Sequence, residues 1–185
     1  MITFASMKQS YIFLVSGFEE IEALATIDIL RRGGVALQSV SLEEELSVTG
    51  GHGVAVIADM MFDEVDFSQA EMLILPGGTV RINEHEGLKK AILAHAATGR
   101  RVAAICAAPM VLGGLGLLKR KRAVCYPGYE QYLTGAILST HESVVTDGNI
   151  TTGMGPGWTF GFALELLSLL KEGADDVVAQ QLLLV

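Results

Sequence analysis

Short apolar runs alternate with helical patterns along most of the chain, and this alternation constrains the fold more than any other feature. Residues 11–15, 71–75 and 101–105 are apolar runs of strand length, and they end at Ser-Gly, Pro-Gly-Gly and Cys-Ala-Ala-Pro turns. Helical patterns over residues 19–32 and 87–98 follow the first two runs. Strands that alternate with helices in this order form a mostly parallel sheet with helices on both faces. The sequence therefore predicts an α/β sandwich of three layers.

The rest of the chain continues this pattern within a single domain over residues 1–185. Asp147-Gly148 is typical of a tight turn, which predicts a hairpin of strands over residues 143–146 and 149–152. Residues 1–6 fit no element and are predicted to be a disordered tail, with Met7 as an alternative start. We also predict strands over 35–40 and 123–126, a hairpin over 48–58, and helices over 109–118, 158–171 and 174–184.

The composition argues against several classes of partner. A formal net charge of −8 disfavours nucleic acid and membrane surfaces, because both attract clustered Lys and Arg. The one basic cluster, residues 119–122, is predicted to be a solvated turn. The apolar run over residues 102–118 is too short to span a membrane, and Pro109 interrupts it. Two cysteines do not make a disulfide framework, so we expect a cytoplasmic protein.

Cys106 is the most informative residue, because it lies between a predicted buried strand and a helix that begins at Pro109. A thiol at a helix N-terminus meets unpaired N–H groups and the positive end of the helix dipole, and both favour the thiolate. The small residues Ala104, Ala107 and Ala108 leave room for a sharp turn. Buried cysteines are also common as inert core residues. Position alone therefore leaves two interpretations of Cys106, a nucleophile or part of the core.

Two other strand ends carry groups that suit a nucleophile. Gly77 and Gly78 expose backbone N–H groups, and the N–H of Gly78 together with that of Ala107 is a candidate oxyanion hole. Glu22 shares a helical face with apolar residues, so we expect it to be buried, with a raised pKa and a protonated carboxyl. Because ligand sites form at the carboxyl ends of parallel strands, we expect these groups to converge on Cys106.

Taken together, these segments resemble the DJ-1/PfpI (ThiJ) superfamily, and its DJ-1-like bacterial branch rather than its PfpI protease side. The resemblance spans nearly the whole chain after Met7. It implies a flavodoxin-like fold and a homodimer. The matching segments are GFEEIE at 17–22, DILRRG at 28–33, LPGG at 75–78, AICAAP at 104–109, YP at 126–127 and GNITTGMGPG at 148–157.

The resemblance also assigns roles to single residues. It implies that Cys106 is a reactive, oxidisable nucleophile and that Glu22 is the protonated carboxyl beside it. It implies that Gly78 and Ala107 supply backbone N–H groups to the site. The residues expected to line the pocket are Gly77, Tyr126 and Pro127.

Three departures from the family pattern narrow the expected chemistry. Tyr126 stands where DJ-1 has a His before the proline, and a tyrosine is no base at neutral pH. This leaves Glu22 as the candidate near Cys106 for both the general acid and the general base. Met154 stands in place of an Arg before Gly-Pro-Gly, which removes a charge that would hold an anion. Ala107 replaces the His that directly follows the nucleophile in the proteases of the superfamily, so peptidase activity is not expected.

No metal site and no cofactor are predicted, because the four histidines are scattered and lack HExxH or paired-cysteine spacing. His95 is expected on the solvent side of its helix. His141-Glu142 lacks the spacer of the His-x-Glu pair of glutamine amidotransferases and is predicted to lie in a loop. Cys125 is predicted to be core, with a resolving role for an oxidised nucleophile as the alternative. Trp158 is expected to line the pocket or a dimer face.

The leading functional hypothesis is a glutathione-independent glyoxalase, or a deglycase that removes early dicarbonyl adducts from proteins. In it a Cys106 thiolate attacks a small carbonyl substrate or a glycated protein, and Glu22 moves the proton. The alternative is a non-enzymatic sensor of oxidative stress or a redox chaperone that uses an oxidisable Cys106. A flavodoxin-like module that binds flavin is a third hypothesis. A second copy of the chain is the expected protein partner.

Overall fold

Strands and helices follow one another along residues 8–184, which are the residues that the computed structural model describes. The predicted tail, residues 1–6, lies outside them. The strands are β1 (Gln9–Leu14), β2 (Leu37–Ser41), β3 (Ser47–Thr49), β4 (Ala55–Ile57), β5 (Met60–Met61), β6 (Ala70–Leu75), β7 (Arg101–Ile105), β8 (Arg122–Ala123), β9 (Ile137–Leu138), β10 (Val144–Asp147) and β11 (Ile150–Gly153). The helices are α1 (Glu20–Arg32), α2 (Glu86–Ala97), α3 (Pro109–Gly114), α4 (Thr159–Leu170) and α5 (Ala174–Gln181).

A seven-stranded sheet forms the middle layer, in the order β10-β11-β7-β6-β1-β2-β5. Only β10 runs antiparallel within this sheet, as the partner of β11 in the hairpin predicted at Asp147-Gly148. Two small sheets lie beside it, the antiparallel hairpin of β3 and β4 and the parallel pair of β8 and β9. The mostly parallel sheet predicted from the alternation of elements is therefore confirmed.

Side chains alternate between the two faces of the sheet and build a core on each. Along β1, Tyr11 and Phe13 enter one core, whereas Ile12 and Leu14 enter the other. The core that contains Phe13 is called the first core, and the core that contains Ile12 is called the second core. The buried helix residues of the first core are Leu88, Ile92, Val111 and Leu112, from α2 and α3, and those of the second core include Ile29, Leu30, Phe162, Leu166 and Val178, from α1, α4 and α5.

The pairing of the central strands brings three loops to one edge of the sheet. β6 pairs with β1 on one side and with β7 on the other, and Leu75 lies opposite Ala104. The loops at residues 16–19, 76–78 and 106–109 therefore leave neighbouring strands at the same carboxyl edge. Among the described residues, none of the helices is long and apolar enough to cross a membrane.

Several predicted elements are shorter in the structure than expected, and a helix and a strand show this most clearly. The helix predicted over residues 109–118 ends at Gly114, and the chain then turns through Gly116, whose φ of 74° suits glycine. The strand predicted over 123–126 ends at Ala123, because the next backbone groups bond elsewhere. The N–H of Val124 donates to Thr152 Oγ1 at 3.0 Å.

The prediction that His95 faces solvent is wrong. Its side chain is buried where α2 packs against β7, and its Nε2 lies 3.0 Å from the carbonyl oxygen of Arg101. Burial, helped by the nearby charge of Arg100, lowers the pKa of His95 to about 4. His95 is therefore a neutral core residue that ties α2 to the start of β7.

Candidate active site

Cys106 occupies a strained turn, the elbow, between β7 and α3. Its φ of 66° lies in the left-handed region, which a residue with a Cβ rarely adopts. Backbone hydrogen bonds hold this turn on both sides. The N–H of Cys106 donates to the Gly153 carbonyl at 2.9 Å, and its own carbonyl accepts from the N–H of Tyr126 at 2.8 Å. The turn gives the thiol a fixed direction at the edge of the sheet.

Glu22 lies fully buried in the first turn of α1. Its Oε2 accepts a hydrogen bond from the N–H of Gly77 at 2.7 Å. The side chain of Glu19 accepts from the N–H of Glu22 at 2.7 Å and so caps the helix. Burial, opposed by the Gly77 N–H, raises the pKa of Glu22 to about 7. The burial and the raised pKa predicted for Glu22 are confirmed.

The thiol and the carboxyl both lie close to Gly77, and only glycine fits there. A Cβ on Gly77 would lie 2.6 Å from the Cβ of Cys106 and 2.8 Å from Oε2 of Glu22. Gly78 has a φ of 97°, and a Cβ there would lie 2.6 Å from the Gly17 carbonyl oxygen. The Pro-Gly-Gly turn thus lets the loop after β1, the loop after β6 and the elbow approach one another closely.

The environment of Cys106 includes groups that oppose a thiolate and groups that favour one. Burial and the nearby Glu22 carboxylate raise its pKa to about 12, although hydrogen bonds from the N–H groups of Ala107 and Gly78 lower it. The helix that follows the elbow has six residues, which is too short for a full dipole. Because burial raises the pKa of both Cys106 and Glu22, the pair resists carrying two negative charges and holds one proton between the thiol and the carboxyl.

Tyr126 and Pro127 lie on the other side of the elbow, at a cavity of about 220 Å³. Residues 154–158 form the rest of its wall, and Trp158 is among them, as predicted. Gly77, which was predicted to line the pocket, is not part of this wall. It lies against the Cys106 thiol and the Glu22 carboxyl instead.

Cys125 takes no part in the site. Its side chain is buried in the first core, whereas Cys106 belongs to the second core, on the opposite face of the sheet. Burial raises the pKa of the Cys125 thiol to about 11. The prediction that Cys125 is a core residue is confirmed, since its neighbours are apolar and its thiol is the protonated form.

The structure also shows a contact that the sequence reasoning missed. Glu20 accepts hydrogen bonds from the backbone N–H of His52 at 2.6 Å and from its ring Nδ1 at 2.8 Å. This bond ties the tip of the β3–β4 hairpin to the start of α1. With Glu19, these residues place three possible ligand atoms within 4.8 Å of one another. The hydrogen bonds between Glu20 and His52 account for this clustering. In the sequence, the contact is indicated only by the Gly-His-Gly segment at the tip of the hairpin.

Comparison with known proteins identifies relatives of this chain. A model of the DJ-1/PfpI family matches residues 8–169. Protein DJ-1 homolog B of Arabidopsis thaliana is 35% identical over 179 residues, which cover 94% of this chain and 41% of that protein. The chain thus spans less than half the length of this plant relative. Deglycase PfpI of Pyrococcus furiosus is 32% identical over 161 residues, which cover 83% of this chain and 94% of that protein.

Solved structures agree with these matches. A cysteine-to-alanine variant of a DJ-1 superfamily protein from Salmonella typhimurium superposes with a TM-score of 0.89 at 30% identity, over 95% of this chain and 98% of the other. The oxidized form of Toxoplasma gondii DJ-1 gives 0.89 at 32% identity, over 95% and 97%. The sheet and helices therefore form the expected flavodoxin-like α/β fold. By its family match and by these neighbours, the chain belongs to the DJ-1/PfpI family.

Proposed function

We propose that this protein converts reactive dicarbonyls such as methylglyoxal by a cysteine-dependent reaction of the glyoxalase or deglycase type. The observation that carries the proposal is the placement of the Cys106 thiol and the Glu22 carboxyl side by side against Gly77. The backbone N–H groups of Gly78 and Ala107 are near the same sulfur and lower its pKa. The site thus offers a nucleophile, a base and two hydrogen-bond donors. Three relatives named deglycases, 31–32% identical, support this reaction class.

The first step joins sulfur to the aldehyde carbon. The Glu22 carboxylate takes the proton of the Cys106 thiol as the S–C bond forms. The electron pair of the C=O bond moves to oxygen, where the N–H groups of Gly78 and Ala107 stabilise the developing charge. This oxygen then takes the proton from Glu22, which leaves a neutral hemithioacetal and a carboxylate.

The second step moves a hydrogen between the two substrate carbons. Glu22 removes the hydrogen of the former aldehyde carbon as a proton, the electron pair forms a C=C bond, and the neighbouring carbonyl oxygen becomes an enediolate oxygen. Glu22 then returns the proton to the neighbouring carbon, and the hydroxyl proton on the sulfur-bearing carbon passes to the enediolate oxygen. The carbon on sulfur is thereby oxidised to a thioester, and its neighbour is reduced to an alcohol. Because the two changes balance, the step needs no external oxidant or reductant.

Hydrolysis completes the cycle. Water adds to the thioester carbonyl, the C–S bond breaks, and Cys106 leaves as the thiol. The product from methylglyoxal is lactate. An adduct of a dicarbonyl on a protein amine enters the same sequence when Cys106 displaces the amine, so both substrate classes share one site.

Lactate formation from methylglyoxal, followed by NMR without glutathione, tests this function. We expect the wild-type protein to form lactate and Cys106→Ala to form none above background. Cys125→Ala is the matched control, since it removes the other free cysteine of the described chain and should keep activity. A wild-type rate equal to that of Cys106→Ala would exclude the proposed reaction. A peptide treated with methylglyoxal beforehand, as a second substrate, separates deglycase from glyoxalase activity.

A second candidate function is a sensor of oxidative stress, favoured by the same hydrogen-bond donors. Cys106 is 8% exposed, and the N–H groups beside it can hold the oxygens of a sulfinate. Intact mass after mild peroxide should then show two oxygen atoms added at Cys106 and none at buried Cys125. Equal modification of both residues would argue against a sensor.

We also propose that the protein is a homodimer that acts in a reducing cytoplasm. Large apolar side chains are exposed at the carboxyl edge of the sheet, at the start of α1 and on the β3–β4 hairpin. They include Ile21 and Val54. A second copy would cover this apolar surface, and the reaction needs the free thiol that a reducing compartment maintains.

A further inference from the structure

The apolar cavity of about 220 Å³ beside the elbow has no role in the three proposed reaction steps. Its walls are residues 126–127 and 154–158, and both segments adjoin the backbone of Cys106. Tyr126 donates its N–H to the Cys106 carbonyl at 2.8 Å. Cys106 donates its own N–H to Gly153, which directly precedes the second segment, at 2.9 Å. The cavity therefore adjoins the elbow through backbone hydrogen bonds on both sides of Cys106.

The side chains of the cavity are uncharged and include two half-exposed aromatic rings. Trp158 is 53% exposed and Tyr126 is 46% exposed. The Tyr126 ring packs on bare backbone, since a Cβ on Gly155 would lie 3.0 Å from its Cδ2. Met154 adds a polarizable thioether, which packs well against aromatic groups. An open cavity with these walls favours a flat apolar group over a charged one.

We propose that this cavity binds the side group of the carbonyl substrate and selects aryl-substituted dicarbonyls over methylglyoxal and over carboxylate-bearing aldehydes. This inference rests on the proposed function. A methyl group fills little of the cavity, whereas a phenyl ring reaches both Tyr126 and Trp158. A carboxylate would lose water there without a cation among the lining residues 126–127 and 154–158. Trp158 and Met154 are then the specificity-determining residues.

Steady-state kinetics with phenylglyoxal, methylglyoxal and 4-carboxyphenylglyoxal, which is a dicarbonyl that carries a carboxylate, tests this selection. We expect kcat/KM of the wild-type protein for phenylglyoxal to exceed that for methylglyoxal by about ten-fold or more. Trp158→Ala should lower this ratio at least several-fold, mainly through KM for phenylglyoxal. Phe160→Ala is the matched control, because this ring is similarly exposed, at 42%, but lies outside the cavity wall. Met154→Arg should raise the turnover of 4-carboxyphenylglyoxal relative to that of phenylglyoxal.

The outcomes separate this inference from the function on which it rests. If wild-type protein consumes methylglyoxal and Trp158→Ala changes all three substrates equally, the inference is wrong and the function stands. If the wild-type protein consumes none of the three, the function fails. Binding can then still be measured, because Trp158 is the single tryptophan of the chain and its emission reports on the cavity.

A titration that needs no turnover uses Cys106→Ser with benzyl alcohol as probe and 2-propanol as control. We expect a saturable change in Trp158 emission with benzyl alcohol and none with 2-propanol. The same protein with Met154→Arg added should show weaker saturation with benzyl alcohol. Equal responses to the two alcohols, or no saturation with benzyl alcohol, would overturn the proposed subsite even in a protein that is active on methylglyoxal.

Discussion

A proton shared between Cys106 and Glu22 governs the chemistry at the scale of single residues. Burial raises the pKa of both groups, so the site resists carrying two negative charges at once. The pair therefore holds one proton, and in the proposed reaction the Glu22 carboxylate takes it from sulfur as the substrate is attacked.

This arrangement predicts a pH dependence with a defined sign. Because the pKa of Glu22 is raised to about 7, its basic form appears as pH rises through that value. The rate of lactate formation, and of Cys106 alkylation by iodoacetamide, should rise over the same range. Glu22→Gln should lower the rate of lactate formation by roughly 10²-fold or more and abolish the rising limb. Stopped-flow rates against pH would measure both, and an identical limb in Glu22→Gln would contradict the assignment of Glu22 as base.

At the scale of elements, the buried His95 makes the docking of α2 on β7 sensitive to acid. Its pKa is lowered from 6.5 to about 4, so the folded state binds a proton less readily than the unfolded state. The contribution of neutral His95 to the free energy of unfolding is therefore fully present above about pH 6.5 and is lost as pH falls toward 4. We expect a loss on the order of 2 kcal/mol between about pH 7 and pH 5, measured by urea unfolding. His95→Gln, which retains a donor for Arg101, should remove most of this loss, whereas exposed His141→Gln should keep it.

The end of α3 offers a test with neighbouring glycines. A Cβ on Gly113 would lie 2.9 Å from the Cα of Leu133, whereas a Cβ on Gly114 would meet nothing within 4 Å. Gly113→Ala should therefore cost about 1–3 kcal/mol of unfolding free energy. Gly114→Ala should be neutral or stabilising by up to about 1 kcal/mol, because alanine favours the helix. Similar unfolding free energies for the two variants would show that the close packing at Gly113 is not needed.

These two elements also show where sequence patterns suffice and where they fail. Residues 71–75 and 101–105 are correctly predicted as buried strands, because a short continuous apolar run bounded by turn residues is typical of a strand buried on both faces. The close packing at Gly113 near the end of α3 involves Leu133, twenty residues later in the sequence, which no local pattern contains. The neighbouring lysines, Lys89 and Lys90, suggest a solvent position for His95, although they do not share its face of the helix.

In the candidate site too, sequence patterns predict some features and miss others. The helical face of Glu22 predicts its burial, and the Gly-Gly turn predicts a close backbone approach at Gly77. The resting protonation of Cys106 is not predictable from its turn, because it depends on the depth of burial and on the charge of Glu22. Local sequence patterns therefore identify the residues of the candidate site, whereas the protonation of these residues depends on their tertiary environment.

At the scale of the whole molecule, the carboxyl edge of the sheet carries both the site and the exposed apolar side chains proposed as a dimer surface. Ile21 is 53% exposed in the first turn of α1, directly beside buried Glu20 and Glu22. Sedimentation velocity should show a dimer for the wild-type protein and a monomer for Ile21→Glu. Ile137→Glu is the control, since this residue is 58% exposed on β9 and should leave the dimer intact. A monomeric wild-type protein would refute the proposed assembly.

The burial of the two cysteines in different cores has a consequence for recovery after damage. A sulfenic acid formed at Cys106 has no neighbouring thiol in the described part of the same molecule with which to condense, because Cys125 faces the opposite layer. Repair must then come from a dissolved reductant that can enter at the elbow. The time for which Cys106 remains an active thiol therefore depends on the concentration of reducing thiols in the surrounding solution.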